Sequence, residues 1–283
     1  MPIKAVQQLM LGKISKNEIQ IRETLKSIKS FGYDGIELNS FMIHPTPLFV
    51  RMLTKAAGMP SGNGGKYDWH SIINDSNLKV TSLHTDLGSL ERDYIGVCEE
   101  AKSFNTDTVV ITGMYRFDYS DDLEIKNLCK RLNDCGEKMK EYGISLLYHN
   151  HNCELINLNE NQKAYDVLIE ETNPDYVNFE FDSYWFAEAG CDYKYYMKKL
   201  SKRMKMFHIN DRGTRIKGKV MTPIINSDSV ELGYGNMPLD DLIDIAQENE
   251  TKAIILEMHK NHIDNSPLKS IELSSKYLNG RIK

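Results

Sequence analysis

The sequence predicts a parallel (β/α)8 barrel, formed by residues 1–283 as a single domain. Eight short apolar runs alternate with amphipathic stretches along the chain, which is the pattern of a parallel sheet covered by helices. A length of 283 residues lies within the range of one such barrel. The rival, an open doubly wound sheet, is disfavoured because no glycine-rich phosphate turn follows the first run.

The predicted strands are short runs rich in β-branched and aromatic residues. In chain order they span residues 3–9, 35–38, 78–84, 107–112, 144–149, 176–182, 204–210 and 252–257. We refer to them as β1 to β8. The first helix is predicted where apolar residues recur at helical spacing before Gly32. A second long stretch ends in the same way at Gly143, and Pro238 stands where helices commonly begin.

Composition and charge exclude several classes of protein. The net charge of −5 argues against electrostatic capture of nucleic acid or of an anionic membrane. No apolar run reaches the roughly 20 residues that span a bilayer, and the first ten residues lack the pattern of a secretory signal. Five scattered cysteines without CxxC spacing are typical of reduced thiols, so we expect a cytoplasmic protein.

Polar side chains stand at the carboxyl ends of most predicted strands. In a barrel these ends meet at one face, where the active site is built. A lone histidine there is usually a hydrogen-bonded rim residue, and a lone aspartate is often a helix N-cap. Purely structural roles do not readily explain why so many of these residues stand at strand ends together. The residues are Glu37, His84, His149, His151, Asp182, His208 and Glu257.

Imidazole and carboxylate groups together suit a divalent ion such as Mn²⁺, Zn²⁺, Co²⁺ or Mg²⁺. Such an ion polarises a carbonyl or hydroxyl oxygen, and a neighbouring carboxylate or imidazole can then move a proton on the adjacent carbon. The pattern therefore indicates proton transfer on a small carbohydrate. Hydride transfer is disfavoured because no nicotinamide-binding fingerprint is present.

The strand-end motifs resemble those of the xylose-isomerase-like TIM-barrel superfamily, among the proteins described as sugar phosphate isomerases/epimerases. The resemblance covers nearly the whole chain. It is carried by "GYDGIEL", "LKVTSLH", "YHNHNCEL", "EFDSYWFAEAGCD", "FHINDRG", "ELGYGNMPLDDLI" and "IILEMH". These motifs are specific to the superfamily, and none identifies a substrate.

The resemblance implies a metal held by side chains from β5 to β8. Asp182, His208 and Glu257 match the usual ligands of β6, β7 and β8, whereas His149 stands where a glutamate is usual. The expected β5 ligand is His149, with Glu154 as the alternative. Manganese is the first choice of ion.

Catalytic and substrate-binding roles are expected for a second set of residues. His151 is expected to act as an acid/base group or to contact the substrate. Glu154 and Glu180 are further catalytic candidates. Glu180 has a second possible role, that of a partner for a histidine. His84 is similar to the family's substrate-binding histidine. Glu37 is expected to bind substrate or a loop backbone, Trp185 to stack on a sugar or pack the rim, and Asp211 and Arg212 to clamp substrate or pair with each other.

Two excursions interrupt the short loops expected of a barrel. Residues 40–69 are too apolar for a plain solvated loop, so we expect a lid over the site or a contact with another chain. Residues 212–235 begin with basic residues that could attract an anionic group. We expect a homo-oligomer or, as the resemblance implies, a hetero-oligomer with a small β-rich subunit.

The main functional prediction is a metal-dependent isomerase or epimerase. The resemblance also suggests an alternative, the catalytic subunit of a C-glycoside deglycosidase, a lyase that cleaves 3-keto-C-glycosides beside a small β-rich partner. A non-catalytic sugar-binding barrel is the weaker alternative. An endonuclease-IV-like enzyme is disfavoured because the chain is acidic and has few histidines.

Overall fold

Eight parallel strands close into a barrel in the computed structural model, which describes residues 1–12, 14, 17–45, 64–215 and 218–282. The strands are β1 Ile3–Gln7, β2 Gly35–Asn39, β3 Lys79–Thr85, β4 Thr108–Thr112, β5 Ser145–His149, β6 Val177–Asp182, β7 Met204–Ile209 and β8 Ala253–Leu256. Each strand pairs with its neighbours in sequence, and β8 closes the barrel against β1. The predicted fold class is confirmed, and every strand boundary agrees within two residues.

Helices connect the strands around the outside of the barrel. Their bounds are Glu18–Ser30, Ser40–Ile43, Trp69–Ser76, Leu87–Arg92, Tyr94–Ser103, Asp122–Glu141, Ala164–Glu171, Ser183–Glu188, Tyr193–Leu200, Leu239–Glu248 and Pro267–Arg281. The first helix begins because the Asn17 side chain accepts a hydrogen bond from the Gln20 backbone N–H. It ends before Gly32, whose φ of 97° favours glycine.

A small apolar plug fills the lower half of the barrel. Its side chains come from five different strands and are all fully or nearly fully buried: Ala5, Val110, Leu147, Met206, Ala253 and Ile255. Because side chains alternate along a strand, the residues two positions further on point into the same interior. The plug therefore forms the floor beneath the polar side chains at the strand ends.

The two excursions differ in how much of each is described. Residues 46–63 lie outside the described residues, and the lid or interface predicted for 40–69 falls mainly on them. In the second excursion, a short hairpin pairs Asp211–Gly213 with Asp228–Val230, and Met221 and Ile224 are exposed. Among the described residues, no helix combines the length and apolarity that crossing a bilayer requires.

Candidate functional site

Four predicted ligands from β5 to β8 come together above the apolar plug. His149, Asp182, His208 and Glu257, here called the upper cluster, each offer one ligand atom, and these atoms all lie within 4.8 Å of one another. All four residues are at most 3% exposed. Two imidazoles and two carboxylates in this proximity are a donor set that fits a divalent ion.

A second group of titratable residues lies directly beside the first. Glu37, His84, Glu180 and His208, here called the lower cluster, also bring their ligand atoms within 4.8 Å of one another. His208 belongs to both clusters. Its Nδ1 lies 2.9 Å from Glu257 Oε2, and its Nε2 lies 2.7 Å from Glu37 Oε2.

The lower cluster pairs buried carboxylates with imidazoles. Burial lowers the pKa of His84, but the charges of Glu37 and Glu180 outweigh it and raise this pKa to about 10. The same two carboxylates hold the pKa of His208 well above its usual value against the effect of burial. Burial raises the pKa of Glu180, but His208 and His84 outweigh it and hold this pKa well below the usual range. In the ion-free protein the negative carboxylates and the positive imidazoles of the lower cluster therefore offset each other's charge.

The lower cluster also recruits neighbours that the sequence alone did not indicate. Glu37 accepts hydrogen bonds from the Gln7 side-chain amide at 2.9 Å and from the Ser82 hydroxyl. His84 Nδ1 lies 2.8 Å from the Thr112 hydroxyl. Glu37 and His84 are thus held by protein partners below the mouth of the barrel, and the substrate contacts expected for them stay predictions.

Asp182 is held in place by its backbone as well as by its side chain. The Asn150 amide accepts a hydrogen bond from the Asp182 backbone N–H and donates one to the Asp182 carbonyl, both at 3.0 Å. Asp182 Oδ1 accepts from the Tyr184 backbone N–H at 2.7 Å, which caps the helix Ser183–Glu188. Burial raises the Asp182 pKa to about 6. Asn150 was not predicted as a site residue, although its place between two histidines was a usable signal.

Aromatic rings surround the mouth above the upper cluster. The His151 ring lies 5.0 Å from that of His149 and 5.4 Å from that of Trp185, and Trp185 lies 5.4 Å from His259. Burial, with a contribution from His149, lowers the His151 pKa to about 3, so this imidazole is neutral at neutral pH. Within the described part of the chain, Trp185 Nε1 is buried without a hydrogen-bond partner.

Glu154 supports the loop after β5 from below. Its carboxylate accepts hydrogen bonds from the Tyr148 hydroxyl at 2.7 Å and from the His151 backbone N–H at 2.9 Å. It is fully buried and does not belong to either cluster. Of the two alternatives for the β5 ligand, His149 belongs to the upper cluster and Glu154 does not. The ligand role of His149 and the catalytic role of Glu154 both stay predictions.

Asp211 and Arg212 bind other parts of the protein. The Asp211 carboxylate accepts hydrogen bonds from four backbone N–H groups, those of Arg212, Gly233, Gly235 and Met237. The Arg212 guanidinium pairs with Glu188 at 2.8 Å, and the backbone N–H of Arg212, not its side chain, is the group that bonds Asp211. A substrate contact for either residue stays a prediction.

A family model described as "Xylose isomerase-like TIM barrel" matches residues 25–279. The chain belongs to this family. The resemblance of the strand-end motifs is thereby confirmed, and the match covers all barrel strands from β2 to β8.

Curated relatives of this xylose isomerase-like barrel carry enzyme names. An inosose dehydratase of Mesomycoplasma hyopneumoniae is 28% identical over 174 residues, which are 58% of this chain and 57% of that protein. The chain thus matches little more than half of that relative's length. An inosose dehydratase of Bacillus velezensis is 23% identical over 279 residues, 93% of this chain and 89% of that protein.

Solved structures of low sequence identity share the fold along nearly the whole chain. A sugar phosphate isomerase/epimerase from Parabacteroides distasonis superposes with a TM-score of 0.76 at 18% identity, covering 99% of this chain and 94% of that one. The IOLI protein, solved with a bound zinc atom, superposes with a TM-score of 0.67 at 14% identity, covering 99% and 98% of the two chains.

Proposed function

We propose that this barrel is a divalent-metal-dependent isomerase or epimerase that acts on a sugar or keto-sugar by proton transfer next to a carbonyl. The upper cluster carries the proposal. His149, Asp182, His208 and Glu257 are buried and place their ligand atoms within 4.8 Å of one another. The IOLI protein, which shares the fold, was solved with a bound zinc atom, and this supports a metal function for a barrel of this kind.

The upper cluster would hold the ion through two imidazoles and two carboxylates. A bound divalent ion supplies positive charge that stabilises negative charge developing on a substrate oxygen. His151, neutral and one step outward, accepts a hydrogen bond or a proton from the substrate. The Trp185 ring lies 5.4 Å from that of His151 and offers an aromatic face beside it.

Glu180 is poorly placed to move a substrate proton itself. It is fully buried, and its Oε2 lies between the rings of His84, His149 and His208. This favours the second of the two roles expected for Glu180, that of a partner for histidines. We therefore propose His151 as the acid/base group and assign Glu180 no contact with substrate.

A lyase is the second candidate, and the curated relatives favour it. Both relatives described above are named inosose dehydratase, and a dehydration beside a carbonyl begins with the same proton abstraction as an isomerisation. The two reactions diverge afterwards, when the deprotonated substrate is either reprotonated or expels a leaving group from the carbon next to the deprotonated one. The C-glycoside deglycosidase alternative belongs to this class, with a small β-rich subunit as partner.

Elemental analysis of the purified protein tests the metal proposal. We expect about one divalent ion per chain in the wild type and a lower metal content in both Asp182→Ala and Glu257→Ala. Asp166→Asn is the control, because it neutralises a buried carboxylate whose partners are Tyr196 and Lys199 on an outer helix. Undiminished metal in both ligand variants would contradict the proposed site.

Proton nuclear magnetic resonance in D₂O separates the isomerase from the lyase. An isomerase or epimerase introduces deuterium beside the carbonyl of a keto-sugar and keeps every carbon–oxygen bond. A lyase releases water or an aglycone in a step that the same spectra detect. Release without exchange into an intact sugar would overturn the isomerase proposal in favour of the second candidate.

We further propose manganese as the ion, a cytoplasmic location and residues 1–283 as one domain. The location rests on the five cysteines, which are all free thiols in the structure. We also propose that the chain assembles with copies of itself or with a small β-rich subunit. Light scattering of the protein purified from its native host distinguishes these assemblies by mass.

A further inference from the structure

The Glu180 carboxylate contacts three histidines at once. Its Oε2 lies 3.0 Å from His149 Nδ1, 2.9 Å from His84 Nε2 and 3.2 Å from His208 Nε2. We infer that Glu180 is a positioning residue that fixes the tautomer of His149 and so makes this imidazole a metal ligand through Nε2. The inference rests on the proposed function, because it concerns the same ion.

The contact with His149 is the directed one. His149 Nδ1 and Glu180 Oε2 form a hydrogen bond at 3.0 Å. His84 Nε2 lies 2.9 Å from Glu180 without a hydrogen-bond partner among the residues that the structure describes, and His208 Nε2 lies closer to Glu37, at 2.7 Å, than to Glu180, at 3.2 Å. A carboxylate oxygen accepts hydrogen bonds. We assign the donated proton of this hydrogen bond to Nδ1 of His149, so that Nε2, on the other side of the ring, is the nitrogen that can bind the ion.

His208 uses its two ring nitrogens the other way round from His149. Its Nε2 faces Glu37 of the lower cluster, and its Nδ1 faces Glu257 of the upper cluster. A proton retained on Nε2 leaves Nδ1 for the ion. The two imidazole ligands are thus turned in opposite senses, and each is backed by its own buried carboxylate.

Backing carboxylates of this kind strengthen metal binding. A histidine that donates its second ring N–H to a carboxylate is held in one orientation and becomes a more basic ligand. Glu180 is fully buried, so no water competes for this hydrogen bond. Loss of such a partner lowers metal affinity by roughly 10- to 100-fold in other sites, and we expect an effect of that size here.

The test compares Glu180→Gln with the control Asp166→Asn. Each change replaces a buried carboxylate by an amide of nearly the same shape. Of the two residues, only Glu180 contacts a proposed ligand. Zinc affinity is measured by competition with a chromophoric chelator. We expect affinity to fall roughly 10- to 100-fold in Glu180→Gln and to stay at the wild-type value in Asp166→Asn. Equal affinities in all three proteins would overturn the inference.

Nitrogen-15 spectra of the histidine side chains provide a readout that does not depend on activity. In the ion-free wild type we expect His149 to give the signals of a ring that carries its proton on Nδ1. These signals are identified as the ones that are missing from His149→Gln. We expect them to change in Glu180→Gln. A wild-type His149 that carries its proton on Nε2 would overturn the inference, even if Glu180→Gln does not fold.

Metal stoichiometry separates this inference from the proposed function. A wild type that binds no divalent ion defeats the proposed function, while the ion-free spectra still decide whether Glu180 fixes the His149 tautomer. Two zinc ions per chain, with one lost in Glu180→Gln, would make Glu180 a ligand of a second ion in the lower cluster. That outcome would overturn the positioning role.

Discussion

At the scale of single residues, the site depends on which nitrogen atoms carry protons before an ion arrives. His208 faces a carboxylate from each of its two ring nitrogens, and its pKa lies well above the usual value. The ion-free ring is therefore protonated on both nitrogens at neutral pH. A ligand nitrogen must give up its proton to the solvent when it binds a metal.

We predict that ion uptake releases about one proton per ion at pH 7. Calorimetry in buffers of different ionisation enthalpy measures this number. Because the Asp182 pKa is about 6, a second proton competes as the pH falls through that value, and metal affinity should decline more steeply there. Ion binding without proton release would show that His208 is neutral in the ion-free protein.

His151 provides a separate prediction for turnover. Replacing it by alanine should lower turnover by roughly 10²- to 10⁴-fold, the usual effect of a positioned acid/base group, and deuterium incorporation should fall in parallel. Because its pKa is about 3, His151 itself should contribute no pH dependence between pH 5 and 8. His70→Ala is the control, since His70 is exposed and stacks on Phe104 outside both clusters. Full exchange in His151→Ala would assign the role to another residue.

At the scale of elements, one carboxylate organises the turn at the end of the second excursion. Asp211 accepts backbone hydrogen bonds from Gly233, Gly235 and Met237 as well as from its neighbour. These donors would lose their partner together if the carboxylate were removed. The turn around residues 233–237 therefore depends on a side chain more than twenty residues earlier in the chain.

We predict that Asp211→Ala lowers the free energy of unfolding by on the order of 3 kcal/mol, because several partly buried N–H groups lose their acceptor. Arg212→Ala should cost less than about 1 kcal/mol, since its ion pair with Glu188 is exposed. Urea unfolding of the two variants measures both values. Equal losses would mean that the turn does not depend on Asp211.

At the scale of the whole molecule, the polar clusters stand on the apolar plug. Leu147 is fully buried in that plug and precedes His149 by two residues on the same inward face of β5. Leu147→Ala should lower the free energy of unfolding by about 2–5 kcal/mol, because the rigid barrel leaves a cavity. Leu123→Ala, the same change at an exposed leucine, is the matched control. A similar small effect at both leucines in urea unfolding would argue against a tightly packed plug.

The sequence by itself determined the barrel and, with the resemblance to the family, the prediction of four ligands at its strand ends. The barrel follows from local patterns, since the eight apolar runs define the strands and parallel connections bring their carboxyl ends to one face. His149, Asp182, His208 and Glu257 could be predicted to lie near one another because each stands at or next to the carboxyl end of a different strand, and these strands are neighbours. The alternation of side chains then sufficed to direct them inward.

Only the tertiary structure decided which of these side chains contact one another and through which atoms. Glu37 and Glu180 lie more than 140 residues apart in the chain, yet both contact His84 and His208. Asp211 reaches a distant turn instead of its neighbour's side chain. Such contacts depend on the register and closure of the barrel, which no local pattern of residues encodes, so the two carboxylates behind the histidine rings became visible only in the fold.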